Sequence, residues 1–393
     1  MKSAKSSKKL SQKGKPKLKI FSFFSGAGFL DLGFEDEGFE VCFVNEYHAP
    51  FLDAYQFARK NLGIPEPRYG YYFGSITDLH HSSQKKLLHE YIADAKRGAS
   101  LVGFIGGPPC PDFSVGGKNR GSEGANGKLS RHYVDLIIQC QPDYFLFENV
   151  KGLWRTKQHR AFYDELKRHL DDNGYALTER LINAVEYGAP QDRERIILLG
   201  FRRHSFSPEI VSVDDFDWRV GTEYPDRSVF EYEWPIQTPF GNGNKDELPV
   251  GVPIKLTVEY WFRANDVENH PNAQHYFQPR AGLKRFQSVE EGDVSKKSYK
   301  RLHRWRFSPT AAYGNNEVHL HPYAERRISV AEALAIQSLP KEFQLPQTMT
   351  LSNMFKCVGN GVPFLAARGL AMAMREFLFK KRKARAPALG FTR

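Results

Sequence analysis

Cys110 stands in the run Gly106-Gly107-Pro108-Pro109-Cys110-Pro111-Asp112-Phe113-Ser114. Two prolines before a thiol stiffen the backbone and fix where the sulfur points. A buried, inert cysteine would have apolar neighbours; this one is flanked by glycines and prolines, with Asp112 and Ser114 adding polarity. A thiol so placed is a candidate nucleophile. Glu148 is a second candidate, in Phe147-Glu148-Asn149-Val150. An acid that closes an apolar strand is costly unless it is paired or does chemistry, although taken alone it reads more readily as a helix cap. The third cluster is Phe24-Ser25-Gly26-Ala27-Gly28, with Glu46 about 20 residues on, the spacing at which an acid accepts hydrogen bonds from ribose hydroxyls. Its glycines let the backbone approach a ligand closely. Asp31 occupies the third position of a Gly-x-Gly-x-x-Gly pattern, so a nucleoside without phosphate suits this loop better than a dinucleotide.

All three clusters fall where strands end. Residues 17–24 read as a buried strand, followed by the glycine turn and a short helix to about Glu37. Further strands are expected at 41–45, 101–105, 143–148 and 195–201. Tyr133, Leu136, Ile137 and Cys140 recur at helical spacing, as do Phe162, Leu166 and Leu170, with Asn173-Gly174 closing the second helix. Strands alternating with helices predict an α/β fold, a mostly parallel, Rossmann-like sheet covered on both faces, with ligands bound beyond the carboxyl ends of its strands. The pattern fails at 203–323, rich in Pro, Asn, Gly and aromatics, which reads as a second, smaller and irregular domain. It resumes at Ser329, where Ser-Val-Ala-Glu forms a capping box. Pro363 suits the first turn of a last helix running to about 379. The expected division is therefore a basic tail (1–16), a catalytic and cofactor-binding domain (17–202), the irregular domain (203–323), a segment completing the first domain (324–379) and a second basic tail (380–393). Residues 116–127, with five glycines, read as a mobile loop.

The chain has 393 residues and a formal net charge of +11. Part of the excess lies in residues 1–19, with eight lysines and no acid. Basic tails favour nucleic acid but serve equally as solubilising arms. The four cysteines (Cys42, Cys110, Cys140, Cys357) are scattered, which suits a reducing compartment and excludes a Cys-x-x-Cys metal pair. No apolar run is long enough to span a membrane, and no secretory signal is recognisable.

Taken in order, these clusters resemble the cytosine-C5 DNA methyltransferase family over about residues 17–201 and 306–379. The glycine loop is similar to the family's cofactor loop, and Asn45-Glu46-Tyr47 to its ribose-binding acid with a stacking aromatic. Pro108-Pro109-Cys110 with Phe113-Ser114 resembles the nucleophile loop, and Glu148-Asn149-Val150 the catalytic Glu-Asn-Val. Gln191-Asp192-Arg193-Glu194-Arg195 resembles Gln-x-Arg-x-Arg, and residues 326–337 the late arginine-to-glutamine motif. Gly359-Asn360-Gly361-Val362-Pro363 resembles the closing Gly-Asn-x-Val-Pro.

The resemblance implies S-adenosyl-L-methionine as methyl donor, lined by Phe24, Gly26, Ala27, Gly28, Glu46, Tyr47, Ile76, Pro109, Leu129, Asn360 and Gly361. It implies that Cys110 adds to carbon 6 of a flipped cytosine, that Glu148 serves N3 and the exocyclic amine, and that Arg195, with Arg193, holds the base oxygen or orients the ring. Ser114, Lys118 and Arg120 are expected to contact DNA, the glycine-rich loop acting as a lid, and residues 203–323 to be the target-recognition domain. The expected partners are double-stranded DNA and a cognate restriction endonuclease. The enzyme is expected to be a monomer in a prokaryotic cytoplasm and to work without a metal; adjacent His80 and His81 point different ways. Two positions depart from the family. Pro111 replaces the usual glutamine, and Ser75 stands where an aspartate usually meets the adenine amine, with Asp78 three residues on. The rivals are a tRNA cytosine methyltransferase of the same fold and a catalytically dead DNA-binding homologue. The long 203–323 stretch favours DNA over tRNA, and Cys110, Glu148 and Arg195 argue against a dead protein. A nicotinamide oxidoreductase is disfavoured by Asp31. Trp218, Trp234 and Trp261 are expected in a small core rather than on bases, and Cys42 and Cys140 in the main core.

Overall fold

The computed structural model describes residues 17–383 other than 99, 110–124, 207–209, 211, 242–247, 280–282, 297, 312 and 314–317. Its centre is a seven-stranded sheet. The elements of its first half are β1 (Leu18–Phe23), α1 (Phe29–Asp36), β2 (Phe39–Glu46), α2 (Ala49–Leu62), β3 (Tyr71–Phe73), α3 (Ser82–Ala95), β4 (Leu101–Gly106), α4 (Ala125–Cys140) and β5 (Tyr144–Val150). There follow α5 (Lys151–Arg155), α6 (Lys157–Asp172), β6 (Tyr175–Asn183), β7 (Gln191–Asp192) and β8 (Glu194–Arg202). The strand order is β3-β2-β1-β4-β5-β8-β6. The pairs from β3 to β5 are parallel, and β8 runs antiparallel to both β5 and β6.

Strands β1 and β4 are buried along their whole length, as expected of parallel strands covered on both faces. On one face, α3, α4 and α6 supply Leu88, Ile92, Val134, Ile137, Leu166 and Leu170. On the other, Phe34 of α1, Leu52 and Tyr55 of α2 and the last helix, α11 (Phe364–Lys383), close the core. The mostly parallel sheet agrees with the sequence reading. Strand β6 was not anticipated: its five central residues are only half-buried, so it carries no continuous apolar run. The helix α4 starts at Ala125, inside the stretch read as loop up to 127.

The remaining elements are α7 (Val258–Ala264), α8 (Leu283–Gln287), β9 (Ser308–Pro309), α9 (Val330–Ile336) and α10 (Leu351–Asn360). The capping box at Ser329 forms: its hydroxyl accepts from the Glu332 N–H, and the Glu332 carboxylate accepts from the Ser329 N–H. The last helix begins directly after Pro363 and extends past 379 to Lys383. Within 203–323, Phe206, Ile210, Val213 and Phe216 pack on the sheet beside α11. Val258 and Phe262 of α7 join α9 and α10 in a third cluster. Two small satellite clusters also involve this stretch, one joining Val229, Leu256 and Phe307 to Val185 and one around Phe286, Val289 and Leu320. Described residues of this stretch thus pack in part on the main sheet and on α9 and α10. Trp218 donates to the Thr178 hydroxyl, Trp234 packs on Phe307, and Trp261 donates to the Lys255 carbonyl. Among the described residues no helix is long and apolar enough to cross a membrane.

Candidate active site

The ends of β1 and β2 build one wall. The chain leaves β1 through Phe24 (φ 53°), Gly26 (φ 57°) and Gly28 (φ 83°), a left-handed path that glycine takes without strain and Phe24 only under constraint. The constraint on Phe24 includes an edge-on contact with Tyr133 at 5.9 Å between ring centroids. Glu46 ends β2 and is buried. Its carboxylate accepts from the Gly26 N–H (2.8 Å) and the His48 N–H (2.8 Å). A carboxylate has about four acceptor sites, so capacity remains for two ribose hydroxyls. A Cβ placed on Gly26 would meet nothing within 4 Å, and the buried Ser25 hydroxyl has no partner among the described residues. Tyr47, next along, is 72% exposed, free to stack on a ring. Ile76 and Ala27 are buried, Leu129 and Gly361 half-buried, and Pro109 and Asn360 exposed. Cys357 is buried on α10, as are Cys42 in β2 and Cys140 in α4.

Ser75 is otherwise engaged. Its hydroxyl accepts from the Thr77 N–H (3.2 Å) and hydroxyl (2.7 Å), while Asp78 accepts from the Ser75 N–H (3.1 Å). The two residues therefore cap the short 3-10 turn Ile76–His80, which explains the serine without giving it a ligand.

The ends of β5 and β8 build the opposite wall. Because the strands are antiparallel, Val150 lies beside Arg195 and Glu148 beside Ile197. Arg195 Nε donates to Glu148 Oε1 at 2.8 Å, and its Nη1 donates to the Glu194 carbonyl at 2.8 Å. Its Nη2 has no bond among the described residues. Glu148 also lies against the segment that follows β4 towards the thiol: a Cβ on Gly107 would lie 2.5 Å from Glu148 Oε2. Asn149 Nδ2 donates to the Pro108 carbonyl at 3.4 Å, tying the same two loops. Cys110, Ser114, Lys118 and Arg120 lie outside the described residues.

Arg193 takes a different position from Arg195. It is fully buried and donates to the carbonyls of Ala311 (3.1 Å) and Gly359 (2.8 Å) and to Gln191 Oε1 (3.4 Å). Burial, reinforced by Arg195, drives its guanidinium well below the usual value. It braces the junction of β7, β9 and α10. Gln337 continues this brace, accepting from Gln191 (3.3 Å) and donating to the Val358 carbonyl (2.5 Å). The sequence motif contained these residues but gave no sign that they bond one another. Glu194 was also missed. Burial acts to raise its carboxyl, but Lys151 and Arg227 outweigh burial and hold it below the usual range. Lys151 follows Glu-Asn-Val directly and Arg227 pairs with Glu194 at 2.8 Å, so an arm of the irregular stretch is anchored beside Arg195. His321 Nδ1 accepts from the N–H of Tyr323 and Ala324 (3.3 and 3.1 Å), and His319 is buried against Tyr313.

A family model for C-5 cytosine-specific DNA methylases matches residues 18–376. The type II methyltransferase M.NmeDI of Neisseria meningitidis serogroup C is 59% identical over 359 residues, 91% of this chain and 84% of that one. M.FnuDI of Fusobacterium nucleatum, also a type II methyltransferase, is 29% identical over 376 residues, 93% of this chain and 96% of that one. Among solved structures, a protein proposed to be a DNA modification methyltransferase, encoded in an E. coli prophage, superposes with a TM-score of 0.63 at 20% identity, covering 92% of this chain and 99% of that one. The S. pombe Dnmt2 methyltransferase does so with a TM-score of 0.58 at 14% identity, covering 92% and 100%. The Rossmann-like sheet, its two walls of motif residues and these matches establish that the chain belongs to the C-5 cytosine-specific DNA methylases.

Proposed function

We propose that this methylase moves a methyl group from S-adenosyl-L-methionine to carbon 5 of a cytosine flipped out of a specific duplex sequence, through a covalent bond between Cys110 and carbon 6. The observation that carries the reading is the Glu148–Arg195 pair, set against Gly107, the residue that follows β4 on the way to Cys110.

Glu46 would hold the donor's ribose hydroxyls, Tyr47 and Phe24 would flank its adenine ring, and the open side of Gly26 would let the loop backbone approach it; Ala27, Gly28, Ile76, Pro109, Leu129, Asn360 and Gly361 would complete the pocket. When bound, S-adenosyl-L-methionine supplies an electrophilic sulfonium methyl. Cys110 adds as thiolate to carbon 6, which makes carbon 5 an enamine carbon. Glu148 delivers a proton towards N3 and accepts from the exocyclic amine, relieving charge on the ring. Arg195 holds that carboxyl through Nε and offers Nη2 to the base oxygen. Arg193 is a positioning residue, acting through the Gly359 carbonyl rather than on the base. After methylation, a water-mediated base removes the carbon-5 proton and Cys110 leaves as thiolate. Ser114, Lys118 and Arg120 contact the DNA backbone, and side chains within 203–323 read base edges. The relatives' type II names support a modification enzyme with a cognate endonuclease. We read it as a monomer working on DNA in a prokaryotic cytoplasm.

The test is tritium transfer from labelled donor to duplex DNA and to tRNA, followed by bisulfite sequencing of the DNA product. Label is expected in DNA at one sequence context, lost in Cys110→Ser, with a covalent adduct on duplex carrying 5-fluorocytosine. Transfer to tRNA alone, or full activity in Cys110→Ser, would refute the reading.

A further inference from the structure

Asp31 is almost completely buried in the first turn of α1, yet it plays no part in the chemistry above. Its two carboxylate oxygens are each engaged. Oδ1 accepts from the Ser22 hydroxyl of β1 at 2.8 Å, and Oδ2 accepts from the Tyr55 hydroxyl of α2 at 2.7 Å. Burying a carboxylate is expensive, and an apolar residue would fill the same space without that cost. The position of the three partners explains what the acid gains. Ser22 lies on the strand that runs into the Phe24–Gly28 loop, and Asp31 lies on the helix that leaves it. Tyr55 lies on the helix that starts just after Glu46 and Tyr47. The Tyr55 ring also fills the space beside Gly28: a Cβ there would stand 2.6 Å from it. The loop's own backbone is closed by the Gly28 N–H donating to the Ser25 carbonyl at 2.9 Å.

We propose that Asp31, Ser22 and Tyr55 form a buried latch that holds the glycine loop and the Glu46 loop in register, so that both present their cofactor contacts without rearrangement. The latch is thus a set of positioning residues for donor binding. It rests on the reading of these two loops as the S-adenosyl-L-methionine pocket. Glu46 bonded to the Gly26 N–H (2.8 Å) is the link between the loops at the pocket wall. The latch is the deep link, reached by no ligand. One turn further along both helices, Arg59 pairs with Glu35 at 2.8 Å, joining α1 to α2 away from the loop. Arg59 Nη1 also donates to the Tyr55 hydroxyl at 3.3 Å, so this pair borders the latch; Glu35→Gln alters the pair while removing none of the latch's own bonds, and so provides the control.

The test is isothermal titration of S-adenosylhomocysteine into wild-type protein and the variants Tyr55→Phe, Asp31→Asn and Glu35→Gln, with steady-state kinetics and thermal melts of each. Tyr55→Phe keeps the ring against Gly28 and removes only the hydroxyl. Loss of a hydrogen bond to a charged group is expected to weaken S-adenosylhomocysteine binding about tenfold and raise the donor KM alike, with kcat changed by less than about twofold. Asp31→Asn should behave similarly, whereas Glu35→Gln should leave the dissociation constant unchanged whatever it does to the melt. Wild-type affinity in Tyr55→Phe and Asp31→Asn overturns the inference. So does weakening in all three variants in proportion to their melting temperatures, which marks a purely structural cluster. A wild-type protein that binds no S-adenosylhomocysteine would overturn the cofactor reading, and this inference with it.

Discussion

Removing the Arg195 guanidinium isolates what the two walls of the cleft do together. In Arg195→Ala, Glu148 loses its 2.8 Å partner and the Glu194 carbonyl loses a donor. At a charge separation of about 4 Å and an effective dielectric constant near 20, the attraction is about 4 kcal/mol. Deleting one member of a buried pair typically costs about 3–5 kcal/mol. The side chains are 14% and 12% exposed in the cleft, so water will reach the orphaned carboxylate and the lower end applies. About 3 kcal/mol, expressed in the transition state, is about a hundredfold in kcat. Initial rates of tritium transfer at saturating DNA and donor measure it. Arg195→Lys should fall between, because one ammonium cannot reach both Glu148 and the Glu194 carbonyl. A kcat for Arg195→Ala within about threefold of wild type, in a variant that melts normally, would show that the pair does not position Glu148 for catalysis.

Gly107→Ala brings a methyl to 2.5 Å from Glu148 Oε2; the displaced carboxyl should cost about 10–100-fold in kcat with little change in the melt, read by the same rate assay. Arg193→Met removes the bonds to the Ala311 and Gly359 carbonyls, and should lower stability by about 2–4 kcal/mol in urea unfolding; an unchanged midpoint would contradict the brace. Burial acts to raise the Glu332 carboxyl, but bonds from Arg326 and His321 dominate and hold it at about 2, below the ordinary 4.5. A depressed acid stabilises the fold above its unfolded pKa, and that stability is lost as pH falls from 4.5 towards 2. The stability gap between wild type and Glu332→Gln, measured by denaturant unfolding, should therefore be full at pH 6 and close across that window.

The parts legible in sequence were those fixed locally. The apolar runs of β1 and β4 and the capping box at Ser329 need no distant partner to be recognised. Strand β6 escaped because half its side chains face partly into solvent, leaving no periodic signal. At the site, Glu46 and Glu148 could be named from their places at strand ends, but not their bonds. That Glu148 would meet Arg195 depends on β8 running antiparallel to β5, which follows from no residue in either strand. Arg193 and Arg195 look equivalent in their motif. Two residues along the chain separate a fully buried brace from a cleft residue, because Arg193 lies between β7 and β8 and reaches the carbonyls of Ala311 and Gly359. The placement of Phe206, Phe216 and Trp218 was hidden for the opposite reason: such aromatics suggest a separate core, whereas they pack on the sheet beside α11.

The bond from Arg193 to the Gly359 carbonyl joins residues 166 positions apart in the chain. A ribosome adding roughly 5–20 residues per second needs on the order of 10–30 s to pass from one to the other. Throughout that interval the nascent chain already holds Glu46, Cys110, Glu148 and Arg195, yet it lacks the acceptor for its buried guanidinium and the helix that packs on α1. Competence to methylate should accordingly arrive late and all at once, when α10 and α11 dock, and not grow with chain length. For a protein that marks DNA, this delay means that an unfinished copy stays silent, since its chemistry is gated by the last part of the domain to be made.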